Sequence, residues 1–207
     1  MKIKLTDKVI NRLTLYHCIL VEYNEKGIEF ISSPQIGSRL NVDDSQVRKD
    51  IKFLNNVGKC KVGYSVKELK DSIEHTLGFK KVKDVFIVGA GNLGMALAKY
   101  DNFENYGLNI LALFDNDPLK VGNSIKGKEI FHVSKLPNLA ERLKVNIAIL
   151  TVPREFANDT ALYLANSGIK YIWNFTPSVL DVPEGIKVWN ENLIGNFLQF
   201  TNNDDEV

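Results

Sequence analysis

The stretch VFIVGAGNLG, residues 85–94, decides the fold of this chain. An apolar, β-branched run leads into three glycines with G-x-G-x-x-G spacing, and helix-forming residues follow. This order is typical of a dinucleotide-binding turn. One glycine makes the tight turn, one lets the pyrophosphate approach the backbone, and one lets the helix pack on the strand, while the first N–H groups of the helix face the phosphates. The predicted coenzyme contacts in this turn are Gly89, Ala90, Gly91, Asn92, Leu93 and Gly94.

An acidic residue supports a dinucleotide site. Asp115 closes a second apolar run, residues 109–114, and comes 21 positions after Gly94. A carboxylate at this point can accept both hydroxyls of the adenosine ribose and would repel a 2′-phosphate, so NAD(H) is favoured over NADP(H). The alternative is a tight turn in an α/β fold with a solvent-facing aspartate. The strand, loop, helix, second strand and acid all fall in register, which favours the dinucleotide site.

Beyond Asp115 the pattern alternates between strand and helix. Strands are predicted at 129–133, 146–151 and 169–173, with helices at 136–144 and 155–167. This alternation predicts a mostly parallel sheet with helices on both sides, and ligands of such sheets bind beyond the carboxyl ends of the strands. We expect Thr151, Val152 and Pro153 to flank the nicotinamide of the coenzyme, and Asn174 to lie nearby.

The last predicted helix, residues 191–200, is unusually apolar. It carries two leucines, one isoleucine and two phenylalanines. A partner subunit would cover such a helix, and packing against its own sheet is the alternative. We also expect Leu193 in this helix to help form an apolar nicotinamide pocket, which would favour neutral NADH over cationic NAD⁺.

The first eighty residues predict a DNA-binding module. Helices are expected at 8–25, 33–40, 44–56 and 66–79, with Ser33 as the N-cap of the second and a tight turn at residues 41–43. The third helix has a basic and amide-rich outer face, so the second and third helices together describe a helix-turn-helix. Residues 59–64 are interpreted as the wing of a winged helix, and an ordinary three-helix bundle with solvated lysines is the alternative. The predicted DNA contacts are Ser45, Gln46, Arg48, Lys49, Lys52, Lys59, Lys61 and Tyr64.

Composition and charge narrow the class of protein. The 207 residues are 44% hydrophobic and 25% charged, which is ordinary for a globular protein. Residues 1–81 carry a net charge of +5 and residues 82–207 a net charge of −4, so only the first part suits a polyanion. No apolar run approaches the roughly 20 residues of a membrane span. Cys18 and Cys60 lack metal-site spacing, so we expect no metal site and a cytoplasmic protein.

Six motifs, in order and over nearly the whole chain, closely resemble the Rex family of redox-sensing transcriptional repressors. They are SQVRKD at 45–50, GK at 58–59 with GY at 63–64, GAGNLG at 89–94, DNDP at 115–118, TVPRE at 151–155 and NFTP at 174–177. The resemblance implies a homodimer whose winged helices bind a near-palindromic operator when NADH is scarce and release it when NADH binds. It also implies an α/β fold with a winged helix-turn-helix at 1–81, a Rossmann-type parallel-sheet domain at 82–207 and a C-terminal helix exchanged between subunits.

Three positions depart from the family pattern. Cys18 stands where the family has an arginine that belongs to a redox-dependent relay with a tyrosine, here Tyr100, and an aspartate of the partner's last helix. The residue aligned with that aspartate is Asn192, so two of the three relay charges are missing. In the wing, Cys60 and Lys61 replace Arg-Gly, which removes an arginine contact to the minor groove. These changes affect the redox response more than the fold.

Two other functions are alternatives to a redox-sensing repressor. A small NAD-dependent oxidoreductase with a helical front domain would need a catalytic set, yet His17, His75 and His132 are scattered and none follows a strand end. About 125 residues after the first domain leave no room for a separate substrate domain. A scaffold that senses another adenosine ligand, such as coenzyme A, is the third alternative. We therefore expect a DNA-binding protein, not an enzyme, with NAD(H) as a signal.

Overall fold

A computed structural model describes residues 5–54 and 63–202. The chain divides into two compact units between Lys81 and Val82. The described residues of the first unit form four helices and a small sheet. In chain order these are α1 Asp7–Glu25, β1 Phe30–Ile31, α2 Ser33–Leu40, α3 Asp44–Lys52, β2 Tyr64–Ser65 and α4 Val66–Leu77.

Helices α2 and α3 form the predicted helix-turn-helix. The N-cap of α2 is Ser32, so the prediction of Ser33 was wrong by one residue. The Ser32 hydroxyl accepts the Gln35 N–H at 3.4 Å, and the Gln35 side chain accepts the Ser32 N–H at 2.8 Å, a capping box that satisfies both donors. At the other end, Asn41 takes a left-handed conformation with φ of 51°, which ends α2 and starts the turn into α3.

One face of α3 is buried in the core of the first unit. The largest buried side chains of this core come from all four helices and from β1: Leu13, Tyr16, Leu20, Ile31, Ile36, Ile51, Leu69 and Ile73. Full burial of each such side chain stabilises the fold by about 1.5–3 kcal/mol. Because this burial sets the rotation of α3 about its axis, the opposite face of the helix is presented to solvent.

Strands β1 and β2 pair antiparallel, with Phe30 opposite Ser65 and Ile31 opposite Tyr64. This small sheet joins the loop before α2 to the segment before α4. The predicted wing residues Lys59, Cys60 and Lys61 lie outside the described residues.

The described residues of the second unit form a seven-stranded sheet in the order β5-β6-β4-β3-β7-β8-β9. Only β5 and β6 pair antiparallel, and the other neighbours run parallel. Sequence analysis did not predict β5 or β9. The elements are β3 Lys83–Val88, α5 Asn92–Ala98, α6 Asn102–Asn105, β4 Leu108–Asp115, β5 Ser124–Ile125, β6 Lys128–His132, α7 Leu136–Leu143, β7 Ile147–Leu150, α8 Ala157–Asn166, β8 Tyr171–Asn174, β9 Lys187–Asn190 and α9 Leu193–Asn202.

The sheet is covered by helices on both faces. One face packs against α7 and α8 through Leu136, Ala161 and Leu164. The other packs against α5 and α6 through Ala98 and Phe103. Apolar residues on both faces of the same strands explain the near-continuous hydrophobic runs in the sequence. The α/β fold class, with a helix-turn-helix ahead of a Rossmann-type sheet, is confirmed.

Helix α9 buries none of its residues against the unit to which it belongs. Its five large apolar side chains are between 49% and 71% exposed. The alternative in which this helix packs on its own sheet is therefore not what the structure shows. None of the described helices has both the length and the apolar character that a membrane span requires.

Candidate dinucleotide and nucleic-acid sites

The glycine-rich turn lies between the end of β3 and the start of α5. Gly89 takes a φ of +103°, which favours glycine. A Cβ on Gly94 would lie 2.0 Å from the Gly89 carbonyl oxygen and 2.9 Å from Thr151 Oγ1. Gly94 therefore allows α5 to pack against the turn, which is the role predicted for the third glycine.

Gly91 differs from its two neighbours in the motif. Apart from the two chain neighbours of Gly91, no described atom would lie within 4 Å of a Cβ there, and its φ of −79° is open to any residue. Neither protein packing nor the backbone conformation requires a glycine here. A group outside the chain that approaches the backbone would require one, and a pyrophosphate at a helix start is such a group.

Asp115 ends β4 beside this turn. Its Oδ2 accepts the Ala90 N–H at 2.7 Å, and its Oδ1 accepts the Asp117 N–H at 2.9 Å. Burial alone would raise the pKa of Asp115, but the two amides and the nearby Lys120 ammonium together hold that pKa below its usual range. The residue is thus a charged acceptor at the predicted ribose position.

Thr151 directly follows β7, and Asn174 is the last residue of β8. Both side chains make their hydrogen bonds within the protein at this edge of the sheet. The Thr151 hydroxyl lies 2.8 Å from the Gly89 carbonyl, to which it donates. The buried Asn174 amide donates to the Ser178 carbonyl and to Asn190 Oδ1, and its oxygen accepts two bonds from Thr176. This set uses the full hydrogen-bonding capacity of the Asn174 side chain, so a coenzyme would have to meet this position through the backbone.

The other predicted coenzyme contacts differ in exposure. Val152 is half-buried, while Pro153, Asn92 and Leu93 are exposed around the turn. Ala90 is buried, and its N–H is already donated to Asp115. Leu193 is 61% exposed at the first residue of α9.

The structure describes all three predicted relay positions, Cys18, Tyr100 and Asn192. Asn192 Oδ1 accepts the Gly195 N–H at 2.9 Å, so Asn192 caps the start of α9. The Tyr100 hydroxyl accepts a bond from Asn102 at 3.2 Å, and its ring meets Phe103 edge-on. Cys18 is exposed on α1.

The outer face of α3 presents the predicted DNA contacts. Ser45, Lys49 and Lys52 are exposed, and among the described residues neither lysine has an ion pair. Arg48 is also exposed, but its guanidinium is 2.6 Å from Asp44, one turn earlier. That exposed pair can exchange for a phosphate at small cost, since exposed ion pairs contribute at most about 1 kcal/mol.

Gln46 is held on the inner side of α3. Its amide Nε2 donates to Asp50 Oδ1 at 2.8 Å. Asp50 is fully buried and also accepts bonds from Arg12 and Tyr16 of α1. Sequence analysis missed this cluster. The signal available was a charged residue, Asp50, beside Ile51 on the apolar side of the helix.

Tyr64 of β2 is half-buried and packs against the core of the first unit. The predicted contacts Lys59 and Lys61 lie outside the described part of the chain.

Two family models match this chain, one in each of its two units. The family model described as "CoA binding domain" matches residues 80–178, and the model described as "Putative DNA-binding protein N-terminus" matches residues 4–51. A redox-sensing transcriptional repressor Rex from Desulfitobacterium hafniense is 38% identical over 97% of this chain and 96% of its own length. The Rex protein of Treponema denticola is 40% identical over 89% of this chain and 88% of its own length.

Solved structures of a Rex-family repressor are similar to this chain over nearly its whole length. The crystal structure of RSP in complex with β-NAD⁺ and operator DNA has a TM-score of 0.87, with 35% identity, and covers 98% of this chain and 93% of that one. The structure of RSP in complex with β-NADH has a TM-score of 0.85, with 36% identity, and covers 98% and 95%. RSP is itself described as a Rex-family repressor. Identity of this extent over both units shows that the chain belongs to the Rex family of redox-sensing transcriptional repressors.

Proposed function

We propose that this protein is a DNA-binding transcriptional repressor that senses the NADH/NAD⁺ ratio and releases its operator when NADH binds. It is a regulator and not an enzyme, in keeping with the names of its relatives. The first unit holds the operator through α3, and the second holds the dinucleotide at the glycine turn beside Asp115.

The observation that carries this proposal is the open space at Gly91. No described atom of the chain explains a glycine there, whereas a pyrophosphate on the turn does. The same chain exposes Lys49 and Lys52 on the second helix of a helix-turn-helix, where they suit DNA phosphates. A nucleotide site and a DNA-binding face on one chain support regulation by the nucleotide.

The dinucleotide acts as a signal by shifting a population of states. A ligand can release DNA only by binding the DNA-incompetent geometry more tightly than the competent one. A tenfold preference corresponds to about 1.4 kcal/mol, within the usual range for coupled sites. Neutral reduced nicotinamide suits an apolar pocket near Val152 better than the cationic oxidised ring does.

A homodimer completes the proposal. The exposed apolar face of α9 needs a cover, and a second copy of the chain, exchanging this helix, supplies one. Two helix-turn-helix units related by a two-fold axis would read a near-palindromic operator. A repressor of this kind would act in the cytoplasm.

Discrimination between NADH and NAD⁺ is weaker in this chain than in relatives with the complete relay. Cys18 and Asn192 cannot form the ion pair that the relay uses, and Asn192 is engaged in capping α9. The nicotinamide pocket alone would then distinguish the two redox states.

A titration of the protein–operator complex tests the proposal. The operator is a labelled near-palindromic duplex selected from random sequence, and release is followed by fluorescence anisotropy as NADH, NAD⁺ or coenzyme A is added. We expect release at a lower concentration of NADH than of NAD⁺, and none with coenzyme A. Equal action of NADH and NAD⁺ would contradict redox sensing, and release by coenzyme A alone would favour the adenosine-ligand alternative. The absence of any selected duplex would contradict DNA binding.

A further inference from the structure

The loop after β4 holds a lysine that the sequence analysis did not single out. Lys120 Nζ lies 3.2 Å from Asp115 Oδ2 and 3.7 Å from Asp117 Oδ2. We propose that Lys120 determines how strongly the site distinguishes a dinucleotide with a free 2′-hydroxyl from one with a 2′-phosphate. This inference rests on the proposed function, because it concerns the adenosine ribose of the same dinucleotide.

Counting acceptor positions on Asp115 shows why Lys120 matters. Each carboxylate oxygen accepts about two hydrogen bonds. Oδ1 accepts the Asp117 N–H and keeps one position, whereas Oδ2 accepts both the Ala90 N–H and the Lys120 ammonium. Two neighbouring ribose hydroxyls that bind the carboxylate in bidentate fashion need one position on each oxygen. Oδ2 has none left.

Lys120 is the group that can leave. The Asp117 and Ala90 donors are backbone amides of two structured turns, so they cannot move without the chain. The Lys120 side chain is 36% exposed, and Asp117 is a second carboxylate within its reach. The ammonium can therefore pass from Asp115 to Asp117 and remain paired. Lys120 thus competes with the ribose of NADH for Asp115.

A 2′-phosphate has the opposite relation to Lys120. The phosphate would stand beside the Asp115 carboxylate, and the repulsion between these two anions is the usual reason why such a site rejects NADP(H). An ammonium at 3.2 Å from the carboxylate offsets that repulsion and can donate to a phosphate oxygen. Lys120 therefore weakens NADH binding and strengthens NADPH binding, which lowers the selectivity that Asp115 alone would produce.

Binding of NADH and NADPH to the full chain tests this role through the fluorescence of the reduced nicotinamide. In Lys120→Met we expect NADH to bind more tightly and NADPH more weakly. The dissociation constant for NADPH divided by that for NADH should therefore rise about tenfold. Lys83→Met is the matched control. It removes the same charge from the start of β3, at the end of the sheet opposite Asp115, and should leave the ratio unchanged.

A second variant moves the ratio in the other direction. Asp117→Asn keeps the side-chain oxygen that accepts the Leu119 N–H but removes the alternative partner of Lys120. NADH should then bind more weakly and NADPH more tightly. An unchanged ratio in both Lys120→Met and Asp117→Asn overturns the role of Lys120 and leaves the dinucleotide site intact. If the unaltered chain binds neither dinucleotide, the proposed function fails as well.

Discussion

Arg12 of α1 and Asp50 of α3, 38 positions apart, form a two-point ion pair. Arg12 Nε donates to Asp50 Oδ2 at 2.6 Å, and Arg12 Nη2 donates to Oδ1 at 2.8 Å. The Tyr16 hydroxyl and the Gln46 amide complete the shell of the carboxylate at 2.9 and 2.8 Å. Since Asp50 is fully buried, this shell ties α3 to α1, and the position of the outer face of α3, proposed to bind DNA, depends on one internal charge.

Asp50→Asn should therefore destabilise the first unit by about 3 kcal/mol, because it leaves the Arg12 charge without its partner. Urea denaturation followed by far-ultraviolet circular dichroism measures the loss. Tryptophan fluorescence serves as an internal reference, since both tryptophans, Trp173 and Trp189, lie in the second unit. Asp44→Asn, which breaks the exposed pair with Arg48, is the control and should cost less than about 1 kcal/mol. Equal losses of unfolding free energy in the two variants would show that the buried pair stabilises the first unit no more than the exposed pair does.

The same carboxylate predicts how stability depends on pH. Burial would raise the pKa of Asp50, but hydrogen bonds from Arg12, Gln46 and Tyr16 outweigh it and hold the pKa below its usual range. The folded state therefore binds the proton less readily than the unfolded state. The contribution of Asp50 is complete above its ordinary pKa of about 3.9 and is lost as the pH falls toward its folded value.

We accordingly expect the free energy of unfolding of the first unit to fall as the pH is lowered below about 4, with a shallower slope in Asp50→Asn. Urea denaturation at a series of pH values measures both slopes. Identical slopes in the two proteins would mean that other carboxylates account for the acid sensitivity.

The glycine turn predicts a contrast between two substitutions. Gly91→Val places its side chain in open space with an ordinary φ, so its cost in stability should stay below about 1 kcal/mol while dinucleotide binding is lost. Gly94→Ala forces a Cβ to within 2.0 Å of the Gly89 carbonyl oxygen and should destabilise the second unit by about 1–3 kcal/mol. Thermal denaturation and NADH fluorescence separate the two effects. NADH binding that survives Gly91→Val would contradict the site.

Lys49→Ala should weaken operator binding and leave NADH binding unchanged. The loss of one phosphate contact should also reduce the slope of log K against log salt by about one. Anisotropy titrations at several salt concentrations measure this slope. Lys67→Ala removes another exposed lysine, from α4, and serves as the control. If both variants lose the same affinity for the operator, the overall positive charge of the first unit explains DNA binding better than a specific contact by α3 does.

The apolar face of α9 predicts the oligomeric state. Phe197→Glu places a charge at a side chain that is 60% exposed in one chain and should turn the dimer into a monomer. Leu162→Glu alters an exposed apolar side chain of α8 and should leave the dimer intact. Size-exclusion chromatography with light scattering reports the mass of each. A monomeric unaltered chain, or a dimer in both variants, would rule out α9 as the interface.

The glycine turn, Asp115 and the two helices of the helix-turn-helix could be predicted from the sequence because their signals are local. Motif spacing, apolar periodicity and turn residues act over a few positions, so they can be followed along the chain. The predicted N-cap of α2 was off by one residue, because both Ser32 and Ser33 have a side chain that can cap a helix. Only the capping box with Gln35 decides between the two serines.

Strand β9 was missed for a different reason. Residues 187–190 are half-buried at most, and the strand is held at the sheet edge by pairing with β8, Trp173 opposite Trp189. The short apolar run in this segment carries no strong periodic signal. The extended structure of this segment depends on its pairing with β8.

The sequence by itself determined the order of the two units, the glycine turn between β3 and α5, and the helix-turn-helix of α2 and α3. Tertiary structure alone decided that Asp50 is paired with Arg12, that the Asn174 side chain is used within the protein, and that Lys120 is paired with Asp115. The partners in these pairs lie on different elements of the chain, and folding brings those elements together. No local pattern records which distant group will be the neighbour.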